Sequence, residues 1–447
     1  MRASSVSTMR RVAVVAVLLS STGSLAVAQL PNASAAAFGM GGNFTALARG
    51  YEAVAWNPAN LAMPGRPLFS LGLGILGGSV GLDPIDFRTM SEFSGEIVPV
   101  QTRRDWLEQV RLAGGQHVRL DGGLTPIAFS VGPIGFQFGS SMYTNMSLSP
   151  DAYEAFVLFG NAGNTGLKDI DLTGTSVRAG AMTAAGMSFA VPIPINLTMG
   201  MLANERAAIG VTAKYVMGNA LLIAQDNGSV LGANDFDLRF PMILPDSSYT
   251  SSYSDDPVSA LTTGLGNGVG ADVALSWSGG PWKVGMMAEN VFSTFRWDTT
   301  MLAAISGTGT FNEDSNSVEF DQVAYGLAPA FLREIVANQK YSPGFTVGAA
   351  FAVMPSLTLT ADMKMSTGGD DAIVVGPRSR LGVGAEWRIL PFLPLRAGVA
   401  SVTDGWQAGA GIGLRLMGYE LGLSTSIRRR GQANESGLMI GLVGIGR

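Results

Sequence analysis

The chain has 447 residues, no cysteine and a single histidine, His117. Without cysteine it can form no disulfide, thiolate nucleophile or cysteine-held iron–sulfur site. One imidazole is too few for the usual zinc ligand sets. His117 precedes a predicted strand, and no Gly-x-Ser-x-Gly motif accompanies it, so we interpret it as a strand-end residue. We therefore expect no enzyme, no catalytic residue, no metal and no cofactor.

Charge is also scarce. Charged residues make up 14% of the chain, against roughly a quarter in an average soluble domain. The net charge is -5, 47% of residues are hydrophobic and the mean hydropathy is +0.27. This composition is the opposite of the disordered signature. The acidic balance, without a dense Lys/Arg tract in the body of the chain, argues against a nucleic-acid partner.

Long apolar runs are missing, and the N-terminal run is short. Arg10 and Arg11 precede the apolar stretch 12–19, and Ala26-Val27-Ala28 fits a small-x-small cleavage site. The apolar stretch would span roughly 12 Å as a helix, well short of the ~30 Å hydrocarbon core of a bilayer. Residues 1–28 are therefore predicted to be a secretory signal peptide, and the protein is expected to be exported.

Period-two alternation is abundant in the rest of the chain. Phe69, Leu71, Leu73 and Ile75 alternate with small residues, and similar stretches recur to the C-terminus. Such alternation places large apolar side chains on one face of a strand. The stretches are about ten residues long, which is typical of transmembrane β-barrels. Soluble sandwiches and propellers usually have strands of about five or six residues and more surface charge.

The pattern predicts an all-β protein, with residues 67–447 forming a transmembrane antiparallel β-barrel of about 14 strands. Both termini are expected on the periplasmic side. Extracellular inserts are predicted near 77–116 and 294–339, each with a short helix-like stretch, at 104–112 and 330–336. Five aromatic residues near predicted strand ends suit interfacial girdles: Tyr215, Trp282, Trp387, Trp406 and Tyr419.

The stretch 39–62 reads GMGGNFTALARGYEAVAWNPANLA. It resembles the N-terminal hatch of the FadL family of outer-membrane transporters for long-chain fatty acids and other hydrophobic compounds. The stretch 381–416 also looks like the closing strands of that family. The resemblance implies that residues 29–66 form a hatch, or plug, inside the barrel lumen. It also implies that substrate leaves sideways, through a wall opening beside a kinked strand. The implied hatch motif consists of Gly41, Gly42, Asn57, Pro58 and Ala59.

The residue types of this motif suit a compact segment. Gly41 and Gly42 permit positive φ and close backbone approach. Asn57 can hydrogen-bond local backbone, and Pro58 biases Asn57 away from helical conformation. The same Asn-Pro-Ala sequence could equally be a turn that precedes the first strand. A gating role for the motif therefore remains open.

The resemblance implies a channel that passes hydrophobic small molecules, such as long-chain fatty acids, across the bacterial outer membrane. Outer-membrane lipids and lipopolysaccharide are then the expected partners, and Arg428, Arg429 and Arg430 are either a lipopolysaccharide contact or a charged hairpin tip. The PorV-like relatives of the family suggest an alternative. In that case the barrel docks secreted partners as a secretion-system component, without transport. No substrate-binding residues are predicted.

Overall fold

The computed structural model describes most of the chain after the predicted signal peptide. Residues 1–28 lie outside the described residues, so the signal-peptide prediction stays a prediction. The described residues are 30, 34–158, 169–194, 202–231, 236–246, 264–312, 315–367, 371–373, 377–403, 405–430 and 433–446.

Fourteen antiparallel strands within these ranges form a closed barrel. Each strand pairs with the next in the chain, and β1 also pairs with β14, from Leu71 opposite Ile445 to Leu82 opposite Asn434. The predicted transmembrane antiparallel barrel is thereby confirmed. The strands are β1 (Phe69–Asp83), β2 (Gln116–Val131), β3 (Ile134–Leu148), β4 (Ser176–Ile193), β5 (Arg206–Gln225), β6 (Gly266–Gly279), β7 (Trp282–Ser293), β8 (Gly344–Met354), β9 (Leu357–Ser366), β10 (Ser379–Leu390), β11 (Leu393–Val402), β12 (Gly405–Leu416), β13 (Tyr419–Arg430) and β14 (Ala433–Ile445).

The two faces of a strand carry different residue types. In β10 the side chains of Leu381 and Val383 are exposed on the outer surface, whereas the alternate residues Arg380 and Gly382 are buried. Tyr215 is the last exposed residue on the outer face of β5, as expected for an interfacial aromatic side chain. A continuous apolar outer band is the surface that a barrel presents to lipid.

One position departs from the predicted alternation. Ile75 was expected to share a face with Phe69, but Phe69 is 49% exposed and Ile75 only 2%. The reason is Gly74, whose φ of 63° lies in the left-handed region that glycine adopts without steric cost. This conformation shifts the alternation of β1 by one residue, and Ile75 turns inward onto Tyr51 and Met439.

The first insert is also shorter than predicted. Its expected start was residue 77, but β1 continues to Asp83, and the connection to β2 covers 84–115. The part of β1 between Gly77 and Asp83 begins with Gly77, Gly78 and Ser79, and this run of small residues interrupts the strand pattern. Its backbone nevertheless pairs with both β2 and β14. The second insert covers 294–343, between β7 and β8.

The connections at one end of the barrel form further structure. The predicted helix-like stretches are present as Val100–Ala113 and Ala330–Asn338, and each buries its apolar face. Among the described residues, no helix is long and apolar enough to cross a membrane. The other α-helices described are Ala35–Gly39, Ala53–Trp56, Phe87–Ser91 and Pro150–Tyr153, with 3₁₀ turns at Gly50–Glu52, Pro58–Ala62, Thr299–Met301 and Tyr325–Leu327 and a π turn at Glu154–Leu158.

A small sheet that the sequence did not predict extends the barrel at the same end. It is built from the longer connections and pairs with the upper part of β5. Its described strands are Ile170–Asp171, Val230–Leu231, Phe236–Arg239, Met242–Pro245, Leu302–Asn312 and Ser315–Ala324. A further short strand, Arg296–Trp297, pairs with β6.

Candidate functional site

Residues 34–66, here called the N-terminal segment, are mostly buried and contact strands around the whole ring. The helix Ala35–Gly39 contacts β11 to β14, and the turn Gly50–Glu52 contacts β1 to β3. The turn Pro58–Ala62 contacts β3 to β6. The segment therefore meets the inner faces of strands on opposite sides of the barrel.

Glycines on the inner faces make these close contacts possible. A Cβ atom on Gly398 would lie 2.0 Å from the carbonyl oxygen of Met40, and one on Gly210 would lie 2.2 Å from the backbone nitrogen of Ala59. Both distances are far below van der Waals contact, so a larger residue would displace the N-terminal segment. Part of the high glycine content of this chain is explained by this packing.

A buried carboxylate holds the middle of the N-terminal segment. Asp362 on β9 accepts hydrogen bonds from the backbone N–H groups of Phe44 (3.0 Å) and Thr45 (2.9 Å). Asp362 is 2% exposed, and the guanidinium of Arg380 lies 4.0 Å from its carboxylate. Because water cannot reach these two N–H groups, they depend on Asp362 for a partner.

Asn57, Pro58 and Ala59 form a local cap within the segment. Asn57 is extended, with φ −168°, and its Oδ1 accepts the N–H of Ala59 at 3.1 Å. Its Nδ2 donates to the carbonyl oxygen of Leu275 on β6 at 3.4 Å. Pro58 begins the 3₁₀ turn, where its missing N–H has no cost. The motif thus both ends one turn and ties the segment to the wall.

Gly41 and Gly42 have φ of 62° and 82°, in the region that favours glycine. At Gly42 a side chain would also collide with Arg380, since its Cβ would lie 2.0 Å from a terminal nitrogen of the guanidinium. That guanidinium lies 5.9 Å from the ring centroid of Trp56. Residues far apart in sequence therefore meet at one point.

A cavity of about 180 Å³ lies beside this point, between the N-terminal segment and the barrel wall. Phe38 and Trp56 of the segment and Met439 of β14 supply apolar lining. Arg380 and Thr346 supply polar lining.

The wall of the cavity at β1 and β2 has almost no side chains. Gly77 is directly opposite Gly123, Gly78 is opposite Gly122, and all four residues line the cavity. At these positions the wall between cavity and outer surface consists of backbone.

Most of the charges that line the cavity are paired. Lys364 lies 2.8 Å from Glu289, and Arg428 lies 3.2 Å from Glu435. Arg428 was predicted in an outer loop, but β13 extends beyond it and the alternation turns its side chain inward, where it also donates to Gln407. It is therefore not part of an outer basic tip.

The other side of the lumen holds a different cluster, here called the apolar column. It runs from Leu332 of the helix Ala330–Asn338, past Trp297 and Met182, to Val54 of the N-terminal segment. The Nε1 of Trp297 donates to the side-chain oxygen of Gln339 at 3.0 Å. The helical spacing at 330–336 was the one sequence signal for this cluster.

The single histidine of the chain does not line the cavity. His117 is exposed at the start of β2, opposite Asp83. No group of three or more metal-binding side chains is found in the described part of the chain. The sequence analysis missed Asp362 and Arg380, although a lone charge at an inward position of an apolar strand is a usable signal for a functional residue.

No protein-family model matches the sequence, and no curated protein matches it. Among solved structures, the toluene transporter TbuX of Ralstonia pickettii matches with a TM-score of 0.52 and 13% identity, covering 94% of this chain and 100% of that one. The deltaS2S3 mutant of TodX, a monoaromatic hydrocarbon channel, matches with a TM-score of 0.52 and 11% identity, covering 93% and 99%. The toluene transporter TodX of Pseudomonas putida matches with a TM-score of 0.45 and 13% identity, covering 92% and 96%. The chain has the barrel fold of the FadL-family outer-membrane transporters.

Proposed function

We propose that this protein is a channel of the bacterial outer membrane that passes hydrophobic small molecules. The observation that carries the proposal is the cavity between the N-terminal segment and the wall of a barrel with an apolar outer band. Outer-membrane lipids would cover that band, and lipopolysaccharide would meet the outer connections. The shared fold with the toluene transporter TbuX supports this reading.

In this proposal the N-terminal segment is the hatch that keeps the lumen closed to water and ions. Its support is the number of independent ties between segment and wall. These include the carboxylate of Asp362, the side chain of Asn57 and the hydrogen bond from Ser424 to the carbonyl oxygen of Ala35 (2.6 Å). A hydrophobic solute then moves through the small space that the hatch leaves beside the wall.

We place the exit at the glycine pairs of β1 and β2. A hydrophobic solute gains nothing by entering the aqueous periplasm, but it gains by entering lipid, because apolar surface leaves water there. The wall is thinnest where Gly77 opposes Gly123 and Gly78 opposes Gly122. The kink at Gly74 lies on the same strand, close to these pairs.

Uptake of labelled hydrophobic compounds tests the proposal, in a bacterial host without its own channel of this kind. The chain has no cysteine, so the double variant Gly78→Cys/Gly122→Cys would allow one disulfide across β1 and β2. Directly opposed residues lie about 4.5–5.5 Å apart, within disulfide range. Oxidation should reduce uptake several-fold, and a reductant should restore it.

The matched control is Val383→Cys/Val399→Cys, an opposed pair on β10 and β11 away from the cavity. Its oxidation should leave uptake unchanged. Equal uptake by host cells with and without the unmodified protein would contradict the channel. Normal uptake through the oxidised Gly78/Gly122 variant would contradict the exit alone. If uptake does not depend on the protein and a secreted protein co-purifies with it, the docking alternative is favoured.

A further inference from the structure

We propose that the cavity binds a compact aromatic carboxylate, in preference to a long acyl chain or a bare hydrocarbon. This inference rests on the proposed channel function and concerns the ligand that the cavity binds, whereas the exit into lipid was argued for uncharged solutes. Three features of the cavity support it, namely its size, its ring-bearing wall and one guanidinium without a hydrogen-bonding carboxylate.

Size restricts the ligand to about one ring. The cavity volume is about 180 Å³. An engineered apolar cavity of about 150 Å³ in another protein holds benzene. A single substituted ring therefore fits this cavity, whereas a long acyl chain would have to extend beyond it.

The apolar wall suits a flat ring. Phe38 and Trp56 line the cavity, and Met439 lies beside them. The Trp56 ring is held edge-on by Phe44, with ring centroids 5.8 Å apart, so its orientation is set before a ligand enters. Rings pack well against aromatic edges and faces and against the thioether of methionine.

The guanidinium of Arg380 supplies the polar end. Arg380 is 8% exposed, and its Nε has no hydrogen-bond partner among the described residues. The nearest carboxylate oxygen, Oδ2 of Asp362, is 4.0 Å away and already accepts two backbone N–H groups, and Oδ1 of Asp362 has no hydrogen-bond partner among the described residues. A buried donor without an acceptor is unfavourable, so an incoming carboxylate would gain the hydrogen bonds that Arg380 lacks.

A second donor lies in the same wall. Thr346 is 4% exposed, and within the described part of the chain its hydroxyl makes no hydrogen bond. The other cations of the cavity differ, because Lys364 pairs with Glu289 and Arg428 with Glu435. A bare hydrocarbon would leave both Arg380 and Thr346 unsatisfied, whereas a ring carboxylate would satisfy them.

Isothermal titration of the full chain in lipid nanodiscs tests this proposal, with benzoate, toluene and hexadecanoate as probes and empty nanodiscs as the blank. We expect benzoate to bind with one-to-one stoichiometry and more tightly than the other two. Arg380→Met should weaken benzoate binding about tenfold or more, as expected for the loss of a charge-assisted hydrogen bond. Arg111→Met is the control, because Arg111 lies on the helix Val100–Ala113 and does not line the cavity, and it should change the affinity less than about twofold.

Thr346→Val is nearly isosteric and keeps the test valid if Arg380→Met does not fold. It should weaken benzoate binding several-fold and leave toluene binding unchanged. Toluene or hexadecanoate binding as tightly as benzoate would overturn the proposal. Absence of benzoate binding in a protein that still supports cellular uptake of hydrophobic compounds would overturn the substrate class alone. Absence of uptake as well would overturn the channel function.

Discussion

The two sides of the lumen are packed differently, because one is filled by side chains and the other contains a cavity. The apolar column is filled by large side chains that are 0–7% exposed, with Trp297 and Leu332 among them. The cavity side has glycines on β1 and β2 and charged groups on β7, β9 and β10. Close packing stabilises the first side through dispersion and apolar burial. The second side lacks that stabilisation and contains the cavity.

The two sides should therefore differ in which substitutions they tolerate. Trp297 and Leu332 of the apolar column are buried among other apolar side chains, so truncation there leaves a hole. Charges beside the cavity are stabilised by partners, so removal of one partner leaves the other buried alone. Glycines that face the N-terminal segment tolerate no Cβ, whereas a glycine in open space without a positive φ, such as Gly326, tolerates one.

Truncation of the column should have the largest effect. Trp297→Ala removes a ring that packs edge-to-face on Phe295, with centroids 5.4 Å apart, and it removes the hydrogen bond to Gln339. We expect a loss of about 3–5 kcal/mol in the free energy of unfolding. Urea titration in lipid vesicles measures it. The variant would open a second cavity and make the two sides alike. A loss below about 1 kcal/mol would contradict a tightly packed column.

Removal of the carboxylate that holds the N-terminal segment should come next. Asp362→Ala leaves the N–H groups of Phe44 and Thr45 without their acceptor, at about 1–3 kcal/mol each. The N-terminal segment should then loosen, and planar-bilayer recordings should show larger conductance. Asp362→Asn retains an acceptor oxygen and should have a smaller effect. Unchanged conductance in Asp362→Ala would show that the segment does not depend on this contact.

Addition of one methyl group tests the fit of the segment against the wall. Gly398→Ala places a Cβ against the carbonyl oxygen of Met40, and we expect a loss of about 1–3 kcal/mol from overpacking. Gly326→Ala is the control, because a Cβ there meets nothing within 4 Å, and its effect should stay within about 0.5 kcal/mol. Equal midpoints of thermal unfolding for the two variants would mean that the N-terminal segment can move away from the wall without loss of stability.

The smallest effect is expected outside the lumen. Arg111 of the helix Val100–Ala113 lies 2.8 Å from Glu154, with side chains 43% and 32% exposed. Because water and salt screen such a pair, Arg111→Ala should cost less than about 1 kcal/mol, and less again at high salt. The same urea titration at two salt concentrations checks it. If Arg111→Ala lowered the free energy of unfolding as much as Asp362→Ala does, and equally at both salt concentrations, surface and lumen charges would not differ in their contribution to stability.

The strands were predictable because a lipid-facing barrel forces a periodic sequence. Alternation along β10 and its neighbours revealed the barrel, and the helical spacing of Ile335 and Val336 revealed the outer helix. The inward turn of Ile75 was not predictable, since one glycine conformation at Gly74 decides it. The full length of β1 was also missed, because backbone pairing needs no side-chain pattern.

Only the N-terminal part of the candidate site could be predicted from the sequence. The motif residues Gly42 and Asn57 could be interpreted as part of a compact segment, since glycine and asparagine have local conformational preferences. Trp56 lies beside Asn57 in the sequence. The meeting of Gly42 and Trp56 with Arg380 could not be predicted, because Arg380 lies more than three hundred residues further along the chain. Periodicity and turn chemistry are local, and they determined the barrel and the presence of an N-terminal motif. The closure of β1 on β14, the burial of Asp362 and the cavity arise from long-range packing, and only the tertiary structure decided them.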